Sequence, residues 1–304
     1  MNSPTAPVRI LSYGEVLWDL LPTGPRVGGA PLNVAYHASQ LGATSALISR
    51  IGNDELGQRL NQFMEQVGVD RRLVQISDTE ATGTVRVTFT DAETPSYAIT
   101  HGVAWDFIAP SNAASGAVAT ADALVFGSLA CRSRVSRETL YGYLPAGRLR
   151  VFDVNLRPPH YTADCVADLL DHSDLVKINE EELHVLSDWF GLRGTEANRL
   201  GALRLRYGLT TVVLTKGAEG AVSHDDVQGY VGHPGFRVSV ADSIGAGDSF
   251  LAAYLTRHLA GATALDALAF AGAVGATVAS RTGGTPNYTS QDIHQLLTDR
   301  PALT

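Results

Sequence analysis

Short apolar runs alternate with helical patterns along most of the chain, which is typical of βαβ units and a mainly parallel sheet. Four runs have the continuous apolar character of strands buried on both faces, each expected to precede a helical segment. They are residues 123–126, 150–154, 174–178 and 211–214. A last β segment is expected to end near Ala241, before a helix running to about Leu259. The pattern predicts an α/β fold with helices flanking the sheet.

Residues 84–90 alternate between apolar and polar side chains, which predicts a strand buried on one face only. Residues 97–100 are its expected partner, joined to it by a turn at 91–95. We expect this hairpin to belong to a small β lid, formed by segments about 15–30 and 83–107 of a single domain spanning 1–304. Because a half-buried strand often finds cover on a second subunit, a homodimer through residues 84–100 is a further hypothesis.

Composition and charge narrow the classes of partner. The 304 residues carry a formal net charge of -8, which disfavours nucleic acid and anionic membranes. An anionic ligand such as ATP would then need a local site of backbone N–H groups and helix ends. The two cysteines, Cys131 and Cys165, have no metal-ligand spacing, and no secretory signal is evident. We therefore expect a cytoplasmic protein with reduced thiols.

The sharpest candidate for chemistry is Gly245-Ala246-Gly247-Asp248, at the predicted start of a helix. Glycines let a ligand approach the backbone closely, and the N–H groups of a helix start favour negative charge. Asp248 in the same first turn could take a proton from an attacking hydroxyl. A plain glycine-rich loop with Asp248 as a capping residue is an equally valid interpretation of these four residues alone.

Two other segments carry polar residues suited to a ligand. Asn33 follows Gly28-Gly29 in a predicted first helical turn, and Asp19 lies on an early strand, so both could bind sugar hydroxyls. As isolated residues, each is more often a cap or turn residue. Asn179 and Glu182 follow a strand and could reach Mg²⁺ or its waters, although an acidic first helical turn explains them equally well.

Several motifs, in this order along nearly the whole chain, resemble the ribokinase-like (PfkB) family of carbohydrate kinases and, within it, the bacterial fructokinases. The family motifs are GGAPLNVA at 28–35, NEEE at 179–182, TKGAEG at 215–220 and DSIGAGD at 242–248. The segments that are similar to fructokinases are GEVLWD at 14–19, WD at 105–106 and DVNLRP at 153–158. The chain departs little from the family pattern: Ser243 lies two residues before Gly245, Ile244 occupies a position often filled by Thr or Val, and neither change removes a catalytic group.

The resemblance implies a ribokinase-like three-layer fold and the phosphorylation of a sugar by ATP. Asp248 would be the base, and the N–H groups of Ala246, Gly247 and Asp248, after Gly245, would form an anion hole. The sugar would contact Asp19, Gly29, Asn33, Arg86, Tyr97 and Arg157. The nucleotide would contact Lys177, Asn179, Thr215, Lys216, Gly217 and Gly220. Asn179 and Glu182 would organise Mg²⁺ through waters, and K⁺ could bind near Asp242, Ile244, Val278, Arg281 and Gly283.

The substrate stays open at this level. Fructose is the expected sugar, with 2-keto-3-deoxygluconate or the sugar of another PfkB kinase as the alternative. A nucleoside would need a larger apolar cleft for its base. A catalytically silent sugar-sensing protein should have lost the base or the glycines at 245 and 247, and both are present. A dinucleotide-dependent oxidoreductase is excluded because no Gly-x-Gly-x-x-Gly follows the first strand.

Overall fold

The computed structural model describes residues 7–22, 24–89 and 95–298, and of residues 87–89 and 95–97 it describes the backbone. Its described part forms two compact units, and the boundary between them falls after Arg148. None of the helices in these ranges combines the length and apolar character that crossing a membrane requires. The single domain spanning 1–304 stays a prediction.

The first unit contains two sheets and four α-helices. Strands β1, β4, β5 and β8 form a parallel arrangement in the order β8-β1-β4-β5, and the other four strands form a separate sheet in the order β3-β2-β6-β7. The elements are β1 Arg9–Tyr13, β2 Leu17–Leu21, β3 Gly24–Gly28, α1 Ala30–Gln40, β4 Thr44–Gly52, α2 Glu55–Gln66, β5 Val74–Ser77, β6 Gly83–Phe89, β7 Pro95–Ile99, α3 Asn112–Thr120, β8 Ala123–Gly127 and α4 Arg134–Tyr143.

Helix α1 begins and ends as its sequence signals predict. Gly29 precedes it with φ 110°, and a β-carbon there would lie 2.6 Å from the carbonyl oxygen of Glu15, so only glycine fits. Pro31 sits in the first turn, where a missing N–H costs nothing, and Gly42 follows the helix with φ 87°. The apolar face of α1 packs in a core cluster with Leu47 of β4 and Leu60 of α2.

The sequence pattern left β3, β4, α2 and β5 unassigned. Helix α2 has a conventional start, because the side chain of Asp54 accepts a hydrogen bond from the N–H of Gly57. The same carboxylate also accepts the N–H and hydroxyl of Thr82, at 2.8 and 2.7 Å, and so ties the helix start to the segment before β6. This bond joins residues 28 positions apart, so no local pattern could indicate it.

The small sheet contains the predicted hairpin. Strands β6 and β7 pair antiparallel, Val85 is buried, and Arg86 next to it is exposed, as one-sided burial requires. Strand β2 pairs with both β3 and β6, which groups the two predicted lid segments in one sheet. Residues 90–94, which hold most of the predicted turn, lie outside the described residues. The role of this sheet as a lid stays a prediction.

The first unit also buries an ion pair. The guanidinium of Arg132 pairs with both carboxylate oxygens of Asp106 at 2.8 Å, and its carbon lies 4.0 Å from the centre of the Trp105 ring. Both charged side chains are at most 5% exposed. A buried charge of this kind requires its partner, so the pair constrains the segment that follows β7.

The second unit is a five-stranded sheet with six α-helices, in the strand order β13-β12-β11-β10-β9. Strands β9, β10 and β11 run parallel, and β12 and β13 run antiparallel to their neighbours. The elements are β9 Arg150–Asp153, α5 Ala163–Asp171, β10 Leu175–Asn179, α6 Glu180–Phe190, α7 Glu196–Tyr207, β11 Thr211–Thr215, β12 Ala221–Asp225, β13 Gly229–His233, α8 Ala246–Leu259, α9 Ala264–Ala279 and α10 Ser290–Thr298.

The four predicted buried strands at 123–126, 150–154, 174–178 and 211–214 are confirmed as β8, β9, β10 and β11, but two other expectations are wrong. No α-helix follows β11, because the chain turns at Gly220 (φ 90°) and returns as β12. The last β segment ends at His233 and not near Ala241, because Pro234 and Gly235 interrupt it. The N–H groups of Ala241 and Asp242 donate instead to the carbonyl of Ala279 at the end of α9.

Candidate active site at the start of helix α8

Helix α8 starts without a side-chain cap. Its N-cap residue is Gly245, with φ 76° and ψ -5°, and the first intrahelical hydrogen bond runs from the N–H of Ser249 to the carbonyl of Gly245 at 2.8 Å. Gly247 and Asp248 therefore lie in the first turn, where N–H groups have no intrahelical acceptor. The N–H of Ala246 makes a long turn bond of 3.3 Å to Ser243. This backbone favours an anion, as the sequence predicts.

The loop before α8 is held against the loop after α9. One carboxylate oxygen of Asp242 accepts the N–H of Ile244 and the other that of Gly283, each at 3.0 Å. A β-carbon on Gly245 would lie 2.5 Å from the carbonyl oxygen of Gly284, so the two loops touch through backbone. The structure thus brings Asp242, Ile244 and Gly283, three of the residues predicted near K⁺, together beside the start of α8.

The other two residues predicted near K⁺ lie at the end of α9. The N–H of Arg281 donates to the carbonyl of Val278 at 2.9 Å. The Arg281 guanidinium pairs with Asp292 at 3.0 Å and donates to the carbonyl of Asn287. Arg281 thus links the loop after α9 to helix α10, where the side chains of Thr289 and Asp292 cap the start of the helix.

A buried lysine lies next to this helix start. Lys177 on β10 donates to both carboxylate oxygens of Asp153 on β9, at 3.0 and 3.1 Å. A β-carbon on Gly247 would be 3.1 Å from the Lys177 ammonium nitrogen. Burial disfavours the charged form of Lys177, but the carboxylates of Asp153, Glu182 and Asp248 together hold its pKa above the ordinary value. The site therefore combines a helix start, one buried ammonium and several carboxylates.

Asn179 and Glu182 form a capping box at the start of α6. The Asn179 side chain accepts the N–H of Glu182, and one Glu182 oxygen accepts the N–H of Asn179, both at 2.9 Å. The other Glu182 oxygen accepts the N–H of Leu156 at 3.0 Å, which ties α6 to the loop after β9. Burial raises the pKa of Glu182. Asn179 and Glu182 thus cap an acidic first helical turn. Each Glu182 oxygen accepts one N–H group and keeps a further lone pair for a water.

The residues predicted for the nucleotide lie at the ends of two strands. Lys177 and Asn179 belong to the end of β10, and the other four lie at the end of β11 and in the turn after it. Thr215 ends β11, and Gly217 and Gly220, with φ 53° and 90°, form the tight turn after it. Lys216 lies in the same turn, but its ammonium is 3.5 Å from the carboxylate of Glu196 on α7. Glu196 also accepts the hydroxyl of Tyr230 at 2.5 Å, so two partners share this carboxylate.

The residues predicted for the sugar lie mainly in the first unit. Asp19 on β2 points toward β3, because a β-carbon on Gly28 would lie 2.5 Å from its carboxylate oxygen. Asn33 is buried in the first turn of α1, four residues after Gly29, and its N–H donates to the Gly29 carbonyl. Arg86 is exposed on β6. The backbone of Tyr97 lies on β7, and its side chain is outside the described residues.

Arg157, the remaining residue predicted for the sugar, belongs to the second unit. It is exposed, and its guanidinium donates to the carbonyl of the preceding residue, Leu156, at 3.2 Å. Asp153, the partner of Lys177, is not among the residues that the sequence predicts for the site, although its segment carries one of the fructokinase-like motifs. Its position at the end of a buried strand beside that of Lys177 was the available signal, because register partners on neighbouring parallel strands share a face.

Comparison with known proteins places the chain in a family. Residues 14–291 match the model of the pfkB family carbohydrate kinases. The fructokinase of Escherichia coli is 31% identical over 272 residues, which cover 82% of this chain and 83% of the relative. An uncharacterized sugar kinase, PH1459 from Pyrococcus horikoshii, solved in complex with ATP, is 27% identical with a TM-score of 0.79, covering 95% of this chain and 99% of that one.

A further solved structure supports the fold alone. A double-mutant fructokinase from Vibrio cholerae O395, in its fructose-, ADP- and potassium-bound form, is 24% identical with a TM-score of 0.82. It covers 95% of this chain and 98% of that one. The architecture is therefore the ribokinase-like α/β fold, as the sequence predicts. The chain belongs to the pfkB family and is a carbohydrate kinase.

Proposed function

We propose that this kinase transfers the γ-phosphate of ATP to the 6-hydroxyl of D-fructose, with Asp248 as the general base. The observation that carries the proposal is the start of α8, where Gly245 in the left-handed region delivers first-turn N–H groups and the Asp248 carboxylate at one place. The fructokinases among the relatives support fructose as the sugar, since the one from Escherichia coli is 31% identical.

The chemistry is an in-line displacement at phosphorus. The sugar hydroxyl oxygen attacks the γ-phosphorus, its proton passes to the Asp248 carboxylate, and the bond from the γ-phosphorus to the bridging oxygen of ADP breaks. Negative charge on the transferred oxygens would be stabilised by the N–H groups of Gly247 and Asp248. Asp19, Gly29 and Asn33 are proposed to bind sugar hydroxyls, and Thr215 and Gly217 the phosphates of ATP.

The described residues fit a magnesium ion held through water better than one held directly. No set of three or more His, Cys, Asp or Glu side chains in the described part of the chain could hold a metal. Both Glu182 oxygens already accept backbone N–H groups, and their remaining lone pairs suit metal-bound waters. Mg²⁺, when bound with ATP, would neutralise phosphate charge. K⁺ would be bound by carbonyl groups near Asp242 and Gly283.

The proposal is tested by ADP release with Mg-ATP and a panel of fructose, 2-keto-3-deoxygluconate, ribose, glucose and adenosine. We expect turnover on fructose that falls about 10²- to 10⁴-fold in Asp248→Asn, because the base is lost while the shape is kept. Asp266→Asn is the matched control, since Asp266 is the third residue of α9 as Asp248 is of α8. It should keep its turnover.

Each other outcome points to a different function. Turnover on 2-keto-3-deoxygluconate alone would keep the mechanism and replace the substrate. ATP binding without turnover on any sugar would favour a sugar-sensing protein. Equal losses in Asp248→Asn and Asp266→Asn would contradict the assignment of the base.

We also propose that the exposed face of the small sheet, around Arg86 on β6, is covered by a second copy of the chain. The support is the one-sided burial of β6, where Val85 is buried and Arg86 is exposed. Light scattering at working concentration is expected to give the mass of a dimer, and a monomer would contradict the proposal.

A further inference from the structure

A fully buried ion pair bridges the carboxyl ends of two neighbouring strands. Lys177 on β10 and Asp153 on β9 are register partners in the parallel pairing, and each keeps 6% or less of its surface exposed. The ammonium donates to both carboxylate oxygens, at 3.0 and 3.1 Å. Asp153 therefore fixes the position of the Lys177 nitrogen.

This nitrogen lies directly against the start of α8. A β-carbon on Gly247 would come within 3.1 Å of the ammonium nitrogen and 3.8 Å of the carbon that bears it. A side chain at Gly247 would therefore crowd the ammonium. The Lys177 charge also interacts with the carboxylates of Glu182 and Asp248. The cation therefore lies beside the helix turn that carries Gly247 and the proposed base.

Strand pairing alone does not explain so costly a pair. Removing both charges from water costs more free energy than burying apolar side chains of the same volume. Two aliphatic residues would therefore stabilise the fold equally well. The same two segments already carry a second ion pair, between Arg150 at the start of β9 and Asp174 just before β10, at 2.5 Å and partly exposed. That pair can align the strands at lower desolvation cost.

We propose that Asp153 and Lys177 are positioning residues for phosphoryl transfer. Asp153 holds the Lys177 ammonium behind Gly247, where its charge stabilises the ionised Asp248 and the negative oxygens of the transferred phosphoryl group. Lys177 acts through its charge from a buried position beside Gly247, and not through a direct contact with the nucleotide. The assignment rests on the proposed kinase function of Asp248.

The test compares Lys177→Met with Arg150→Met, which removes the cation of the second pair on the same strands. Both variants keep an unbranched side chain, and both are expected to lower the free energy of unfolding. Only Lys177→Met should lower kcat, by about 100-fold, which is typical of losing one preorganised charge-stabilising group. The KM for the sugar should stay within about twofold, because the ammonium does not contact the sugar.

A double variant distinguishes positioning from a merely structural role. If Asp153 acts only by holding the ammonium, Asp153→Asn should lower kcat in the wild-type background and have no further effect in Lys177→Met. The double variant removes both buried charges together, so it gives a folded sample even where Lys177→Met alone does not.

The assignment fails if Lys177→Met or the double variant keeps kcat within about threefold of the wild type while the wild type turns over sugar. It also fails if the effects of Lys177→Met and Asp153→Asn on kcat are additive. A wild-type chain without turnover on any sugar would overturn the proposed function itself, and this assignment with it.

Discussion

Replacing Gly245 with alanine tests whether the start of α8 is the functional centre of the second unit. Gly245 has φ 76°, a conformation that costs an L-residue about 1–2 kcal/mol. The added β-carbon would also lie 2.5 Å from the carbonyl oxygen of Gly284 and 2.6 Å from its α-carbon. These are backbone atoms, so the contact is relieved only if one of the two loops moves.

The expected loss of stability combines both effects. Overpacking of this kind costs about 1–3 kcal/mol, so with the backbone strain the free energy of unfolding should fall by about 2–5 kcal/mol. A displacement approaching 1 Å at the helix start would also misplace Asp248 and the neighbouring N–H groups. A shift of that size costs about 100-fold in turnover.

Gly261 provides the matched control at the other end of the same helix. It has φ 81°, and a β-carbon there would meet no atom within 4 Å. Gly261→Ala therefore carries the backbone strain without the collision, and should lose only about 1–2 kcal/mol and keep its turnover. Urea denaturation and the ADP-release assay measure both quantities. Equal stability losses in the two variants, with Gly245→Ala fully active, would refute the reasoning.

Three further perturbations test other contacts. Glu182→Gln should lower the free energy of unfolding by about 1–3 kcal/mol, because the NH₂ group of the glutamine must face the N–H of either Leu156 or Asn179. An unchanged urea midpoint would contradict this. Arg132→Met should lower the free energy of unfolding by about 3–5 kcal/mol, because it leaves the buried Asp106 carboxylate without its cation. Arg134→Met, which removes the cation of an exposed pair, should lower it by under about 1 kcal/mol. Similar losses in the two variants would be evidence against the buried pair. Burial and the Glu196 carboxylate raise the pKa of Tyr230 to about 12, so its contribution to stability is present below about pH 10 and lost as the pH rises through about 12. Tyr230→Phe should remove that alkaline dependence in urea titrations, and an identical pH profile in both proteins would contradict it.

Local signals explain what could be predicted from the sequence. Helix α1 starts and ends where its glycines and Pro31 indicate, and α8 follows Gly245 as predicted. The buried strands β8 to β11 are continuous apolar runs, since both faces of a parallel sheet are covered. Patterns of this kind depend on neighbours a few residues apart, so the sequence carries them directly.

The sequence by itself determined the family, the α/β class and the helix start at Gly245, because these depend on motifs and local periodicity. Only the tertiary structure showed that Lys177 pairs with Asp153 beneath Gly247, and that Lys216 pairs with Glu196. Both facts follow from which strands and helices become neighbours. Side chains 20 or more positions apart meet only when the chain folds, and charge patterns along the sequence do not encode that pairing.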